Sequence, residues 1–371
     1  MANPQTNTYP WTTREESYKK TLSYLTGRMR GEITSVKTPW SRINAIGADG
    51  LEMNTSIAFC SRPAVGKSVI LEQFCQEVHR LNPTKKLRVL KFQLEMLDQI
   101  VDIREFSSAL GKSYGYMTST EEWPITNDFG HIIGKEKLST QDLKQCWEYV
   151  KSKTIKDEAG EQVYPENVIH AAPTVEELEK IIDDYMEAYK TIDATGKVIY
   201  TETIIGIDHA RLIRRKGGQS ETDMLYDLGP MLNRKKGQYP IIIVLLNHLK
   251  REINSDLRCE NGKYGNYIRD EDVFGGDSIF QNFDIIVGMD RPSLRQISKY
   301  GPSNYLIEDE YTLVFHYLKV RNGAPGMAFF RGEYNKMRII EIDTPPKAAT
   351  KAAENNKEYQ QKYQSQTKAN L

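Results

Sequence analysis

Residues Ser61 to Ser68 read SRPAVGKS, between an apolar run (Thr55 to Cys60) and an amphipathic one (Lys67 to His79). A strand that turns through a tight loop into a helix gathers backbone N–H groups and a helix N-terminus around one anion. In such a loop Lys67 can reach the β- and γ-phosphates of a nucleotide, and the Ser68 hydroxyl can ligate Mg²⁺. Ser61, Arg62, Pro63, Ala64, Val65 and Gly66 complete the cradle. The strict GxxxxGK[ST] pattern fails once, where Ser61 replaces the first glycine. A helix start that carries Gly-Lys-Ser by accident is the competing reading, and the strand before it and the helix after it weigh against that. The loop predicts an α/β chain that binds and hydrolyses a nucleoside triphosphate.

The 371 residues are 39% hydrophobic and 27% charged, which suits a soluble protein of one large domain or two small ones. Fifty basic and fifty acidic residues cancel, and this excludes neither nucleic acid nor protein partners, because binding follows local patches. Cys60, Cys75, Cys146 and Cys259 are scattered without a CxxC pair. That argues against a zinc site or a disulfide framework and fits a reducing cytoplasm. The N-terminus lacks a basic-then-apolar signal, and no apolar run approaches the roughly 18 residues of a membrane span.

Residues 1–30 read as an N-terminal arm. Tyr18, Leu22, Leu25 and Met29 recur at helical spacing after Thr12 and Thr13, two candidate N-caps. This helix either packs on its own domain or docks on a neighbouring subunit. Beyond the loop, strands are predicted over Leu87 to Gln93, Val168 to Pro173, Glu202 to Asp208 and Pro240 to Asn247. Later strands follow at Phe283 to Asp290, Tyr311 to Val320, Met327 to Gly332 and Met337 to Asp343. Helices are predicted over Leu97 to Leu110, Thr140 to Ser152, Val175 to Tyr189 and Glu221 to Lys236. Alternating strands and helices imply a mostly parallel sheet covered on both faces. The last three strands lack intervening helices, so that edge should be antiparallel. The domain should span 31–345, and the polar stretch 346–371 reads as a disordered tail.

Ligands of such sheets collect at the carboxyl ends of strands. Asp208 ends its strand and is either a metal anchor beside Ser68 or a helix cap. Glu95 lies just past its strand, taken as the one adjoining the loop strand, and either orients and deprotonates an attacking water or is a solvated surface residue. His248 can report the γ-phosphate or be a satisfied polar group. Lys319 and Arg321, before an Asn-Gly turn, are a solvated face or a finger inserted into a neighbour's nucleotide site.

Several of these segments together resemble the motor domain of DnaB-type replicative helicases and phage primase–helicases, and of the mitochondrial helicase Twinkle. The resembling stretches are Arg62 to Ser68, Gln93 to Met96, Ile205 to Ile213, Gly276 to Arg291 and Leu318 to Gly326. The resemblance runs from about Ser17 to Asp343 and tolerates a residue other than glycine at Ser61. It implies a RecA-like core, ATP and Mg²⁺ as ligands, and Glu95 as catalytic base. It also implies Arg321 as an arginine finger acting in trans, with Lys319 as its partner. The Asp208-His209 pair and the His248-Leu249-Lys250 run look like the phage type. Two departures stand out. No zinc-ribbon cysteines appear, so no fused primase is expected, and a primase or a helicase loader would be a separate partner. The family's basic DNA loop is replaced by DVFGGD (Asp272 to Asp277). Just before it lies an insertion with Lys250, Arg251, Arg258, Lys263 and Arg269, which either contacts DNA or is a solvated loop. Lys250, Arg251 and Arg269, with Gly275 and Gly276 admitting a backbone, are the expected DNA contacts.

The expectation is an ATP-driven ring, a hexamer, that translocates on single-stranded DNA. Its rivals are a RecA-type recombinase, against which the Lys319–Arg321 hairpin and the linker helix argue, and a non-catalytic ATP-binding scaffold. Intact Lys67, Ser68, Glu95 and Asp208 argue against the scaffold.

Overall fold

Nine strands form one sheet. In chain order they are β1 (Ser56–Ser61), β2 (Arg88–Gln93), β3 (Glu166–Ile169), β4 (Thr203–Asp208), β5 (Ile241–His248), β6 (Ile285–Asp290), β7 (Thr312–Val320), β8 (Gly326–Glu333) and β9 (Arg338–Glu341). Their order across the sheet is β9-β8-β7-β6-β1-β5-β4-β2-β3. The run from β6 to β3 is parallel, and β7, β8 and β9 are antiparallel, as the missing helices between them predicted. The computed structural model describes residues 12–47, 49–126, 131–156, 162–258, 265–307 and 309–342. The polar stretch after Pro346, Cys259 and Lys263 lie outside them.

β1 is central and buried along its whole length. Ile57 and Phe59 face one hydrophobic cluster, and Ala58 and Cys60 face the other. The helices, numbered in chain order, include α1 (Arg14–Met29), α2 (Ser41–Ile46), α3 (Lys67–Leu81), α4 (Asp98–Leu110) and α5 (Tyr114–Thr118). They continue with α6 (Thr140–Ser152), α7 (Val175–Ala188), α8 (Glu221–Gln238) and α9 (Gly276–Asn282). Ile70, Leu71 and Phe74 of α3 fill the first cluster, and Leu178 of α7 with Leu225 and Leu228 of α8 fill the second. A sheet apolar on both sides needs such layers on both faces.

Two expectations are corrected here. The strand that adjoins β1 on the catalytic side is β5, not the one that leads to Glu95; β5 and β4 both lie between β1 and β2. The strand predicted at Val168 to Pro173 sits earlier, over Glu166–Ile169, because its pairing with Val89 to Phe92 sets the register.

α1 begins at a capping box. Thr13 Oγ1 accepts from the Glu16 N–H at 3.2 Å, and Glu16 Oε2 accepts from the Thr13 N–H at 2.9 Å. Tyr24 donates to Glu52 at 2.5 Å, and Gly27 is buried against Ile33, so the helix touches its own domain near its end. Tyr18, Leu22, Leu25 and Met29 are nevertheless each more than half exposed. Among the described residues no helix is long and apolar enough to cross a membrane.

Candidate active site

The loop leaves β1 at Ser61, which is fully buried and donates its hydroxyl to the Arg62 carbonyl at 2.9 Å. Serine serves here because Ser61 is still strand; the left-handed backbone falls on Ala64 (φ 65°) and Gly66 (φ 107°). A Cβ at Gly66 would lie 2.9 Å from the Tyr334 ring, so space as well as φ requires glycine. α3 starts at Lys67 with no side-chain cap, which leaves its first N–H groups to an anion. Val65 packs into the core and contributes to the loop through its backbone, whose carbonyl accepts from the Tyr334 hydroxyl at 2.8 Å.

Around this loop the sheet delivers its polar strand ends. Lys67 is buried, and burial lowers its pKa while Asp208 and Glu95 pull the other way. Asp208, the last residue of β4, is fully buried, and Ser68 and Gln93 lie within reach of its carboxylate, although neither oxygen makes a hydrogen bond of good geometry. Burial raises its pKa and Glu95 adds to this; Ser68, Lys67 and Gln93 oppose it. A buried carboxylate left this way is suited to a cation. The described residues contain no cluster of three His, Cys, Asp or Glu that could hold a metal alone. A buried carboxylate beside a serine hydroxyl fits Mg²⁺, which takes one or two protein ligands and completes its shell with water and phosphate. Ser68 and Asp208 are the residues that would hold it.

Glu95 is brought in although β2 is remote from β1, because the Leu94 N–H donates to the Asp208 carbonyl at 3.1 Å. Its side chain is 53% exposed, and one oxygen lies 3.9 Å from His209 Nε2. His209 is the member of this group to which sequence reasoning gave no site role, although the Asp208-His209 pair was visible as a phage-type feature. Its Nε2 is 3.4 Å from Nε2 of His248, with the rings edge to face. Burial, with Lys67 next, pushes His209 down to about 4 and His248 down to about 3. Both rings are therefore neutral near pH 7, and each carries one N–H donor. Tyr334 also escaped the sequence reading, since it sits 269 positions from its partner Val65.

The expected DNA contacts are partly gathered. Lys250, Arg251, Gly275 and Gly276 line a cavity of about 540 Å³ together with Arg62, Arg211 and Phe274, its four cations outnumbering the two acids, Glu252 and Asp277. The Arg62 side chain reaches the Leu249 carbonyl at 3.0 Å, so this member of the loop faces the basic cavity. The cavity is joined to the strand that carries His248: the Phe274 N–H donates to the His248 carbonyl and the Lys250 N–H to the Asp272 carbonyl. Arg269 stands apart, paired with Glu271 at 3.0 Å and lying over the Tyr267 ring. Arg258 is neither a solvated charge nor a free cation. It is buried in a two-pronged pair with Asp272, both contacts at 2.7 Å. Gly275 has a packing reason of its own, since φ is 64° and a Cβ would collide with the Leu225 side chain.

Lys319 and Arg321 are absent from this end. The register sets Val320 level with Ile285, and Ile285 level with Ile57, four residues down β1 from Ser61. At about 3.3 Å per residue that is roughly 13 Å, more than an arginine side chain spans. Arg321, just past the end of β7, pairs through Nε with Asp284 at 3.1 Å, and Lys319 donates to the Phe280 carbonyl. Burial, then Arg321, lowers the Lys319 pKa.

A scan against protein-family models and a search of curated proteins gave no match. Solved structures do match. One is described as an ATPase domain, with a TM-score of 0.66 and 14% identity over 90% of this chain and 100% of that one. Another is described as a DnaB-like replicative helicase and its interactions with primase, with a TM-score of 0.62 and 13% identity over 90% of this chain and 68% of that one. At such identities the likeness is one of fold: a mostly parallel sheet flanked by helices, with an antiparallel edge.

Proposed function

We propose that this chain is the motor of a ring-shaped, ATP-dependent DNA helicase that translocates on single-stranded DNA during replication. The observation that carries the reading is the separation of two half-sites. Lys67, Ser68, Glu95, Asp208 and His248 sit at one end of the sheet, and Arg321 sits at the other, out of reach of its own loop. A nucleotide held between two copies unites them, one copy giving the loop and the next giving Arg321 with Lys319 close by. Glu95 takes the proton of the attacking water, and the neutral His248 donates to the γ-phosphate. Ser68 and Asp208 would hold Mg²⁺ beside the phosphates, where the ion would supply neutralisation of their charge.

The exposed stripe of α1 supports assembly, since Tyr18, Leu22, Leu25 and Met29 offer an apolar face for a neighbouring copy. The basic cavity supports a strand grip. Lys250 and Arg251 neutralise backbone phosphates, and the hydrogen bonds from that loop to the His248 strand link the grip to the nucleotide. A separate primase or loader fits the company of the DnaB-like neighbour. The test is ATP hydrolysis with and without single-stranded DNA, with electron microscopy of the assembly. Stimulated hydrolysis by closed rings is expected; unstimulated hydrolysis, or open filaments, contradicts the reading.

A further inference from the structure

We propose that Asp284 is the positioning residue that aims Arg321 at the neighbouring copy's nucleotide; this rests on the reading of Arg321 as a finger in trans. The two carboxylate oxygens divide the work. Oδ2 accepts from the Ser56 N–H and the Ser56 hydroxyl, both at 2.9 Å, and from the Lys236 ammonium. Three donors from β1 and α8 therefore fix the carboxylate, which is only 13% exposed on its side chain. Oδ1 is turned to Arg321 and holds Nε at 3.1 Å, while the Arg321 side chain stays 51% exposed.

The main chain reinforces this arrangement. The Arg321 N–H donates to the Asp284 carbonyl at 2.9 Å, and the Asp284 N–H donates to the Ser56 carbonyl at 3.1 Å. β6 and β7 shift register between Ile286 and Val287, a bulge just inside the pair, and bulges re-aim the side chains beside them. A carboxylate that grips a guanidinium by Nε leaves the two terminal nitrogens as the fork that matches phosphoryl oxygens. Arg321 then meets the neighbour with its long side chain already oriented, which lowers the ordering cost of reaching a transition state. The cluster sits at the foot of β1, the strand whose other end carries the phosphate loop.

Asp284→Asn in the full chain tests this. With the chain's own loop intact, the KM for ATP should hold while kcat falls about 10- to 100-fold, the cost of a finger misplaced by about 1 Å. Mixed with Lys67→Ala subunits, the variant should regain activity, because some interfaces pair its sound loop with a sound finger. That rescue also shows that the variant folds and assembles. Mixed with Arg321→Ala subunits it should not recover, since both lack a working finger. Should the Asn variant fail to assemble, Asp284→Glu, which keeps the charge for Lys236 and shifts the carboxylate by one methylene, takes its place with the same expected outcomes. An unchanged kcat, or rescue by Arg321→Ala but not by Lys67→Ala, overturns the proposal while leaving the finger standing. If Lys67→Ala and Arg321→Ala subunits fail to rescue each other, the finger reading falls and Asp284 falls with it.

Discussion

The two ends of β1 are built on opposite terms. At the Ser61 end, buried polar atoms lack a hydrogen bond of good geometry: both oxygens of Asp208, Nδ1 of His209, both amide atoms of Gln93 and Oδ1 of Asn247. At the Ser56 end, the single carboxylate of Asp284 satisfies Ser56, Lys236 and Arg321 together. Unpaired buried groups cost stability and persist where a ligand completes them. A saturated cluster makes a rigid mount. On the proposed reading, one chain carries a receptor for phosphate and metal at one end and a held cation at the other.

The largest effect that could break this contrast concerns chemistry. Glu95→Gln should cut turnover by about 10²- to 10⁴-fold, the range for a lost general base, with nucleotide binding nearly intact. Steady-state hydrolysis and titration with a fluorescent nucleotide measure both, and near-normal turnover would remove Glu95 from the receptor end.

Stability should then answer with opposite signs at the two ends. Asp284→Asn breaks a saturated ion cluster and should cost about 1–3 kcal/mol, less than the roughly 3–5 of a fully buried pair. Asp208→Asn replaces an unpaired buried carboxylate with a neutral group of the same size and should stabilise the nucleotide-free protein by about 0.5–2 kcal/mol. Denaturant titration of the two variants reads both signs. A loss at Asp208 equal to that at Asp284 would mean that the receptor end is also built for stability.

Much of this was legible beforehand, for physical reasons. The loop is local: strand, Gly66, Lys67, Ser68 and helix are contiguous, so eight residues specify it. Strand-terminal carboxylates were equally readable, because apolar runs such as Thr203–Asp208 end visibly in one. Strand order was not, and Glu95 was therefore assigned to the wrong neighbour; nothing in a chain tells that β4 and β5 insert between β1 and β2. Contacts across the chain stayed hidden for the same reason, Tyr334 on Val65 and Asp284 under Arg321 among them. Charge in the insertion misled because a cation's role depends on its partner. Arg258 looks like Lys250 on paper, yet Asp272 buries it as structure.

Assembly sharpens the contrast next, since on the proposed reading the two ends of the sheet meet between copies. Removing residues 1–30 deletes the exposed stripe of α1 and should yield smaller species with ATP at a similar melting temperature. Sedimentation reads this outcome, and full-sized assemblies from the truncated chain would show that α1 serves its own domain.

The smallest expected effect is at the basic cavity. Lys250→Ala with Arg251→Ala should flatten the salt dependence of single-strand binding by up to about one unit of slope per lost phosphate contact. Arg269→Ala should leave the slope alone, because Arg269 is spent on Glu271 and Tyr267. Equal slopes in the double variant, in Arg269→Ala and in the unmodified chain would make the cavity a solvated surface.

The central claim, that each nucleotide is served by two copies, is tested most directly by mixing Lys67→Ala with Arg321→Ala. Each variant alone should be inactive, the second by roughly 10³-fold or more, as for a lost arginine finger. When the two are mixed and exchange of subunits is verified, some interfaces hold an intact loop facing an intact Arg321, and hydrolysis should return. Verified mixing with no recovery at any ratio would contradict the account.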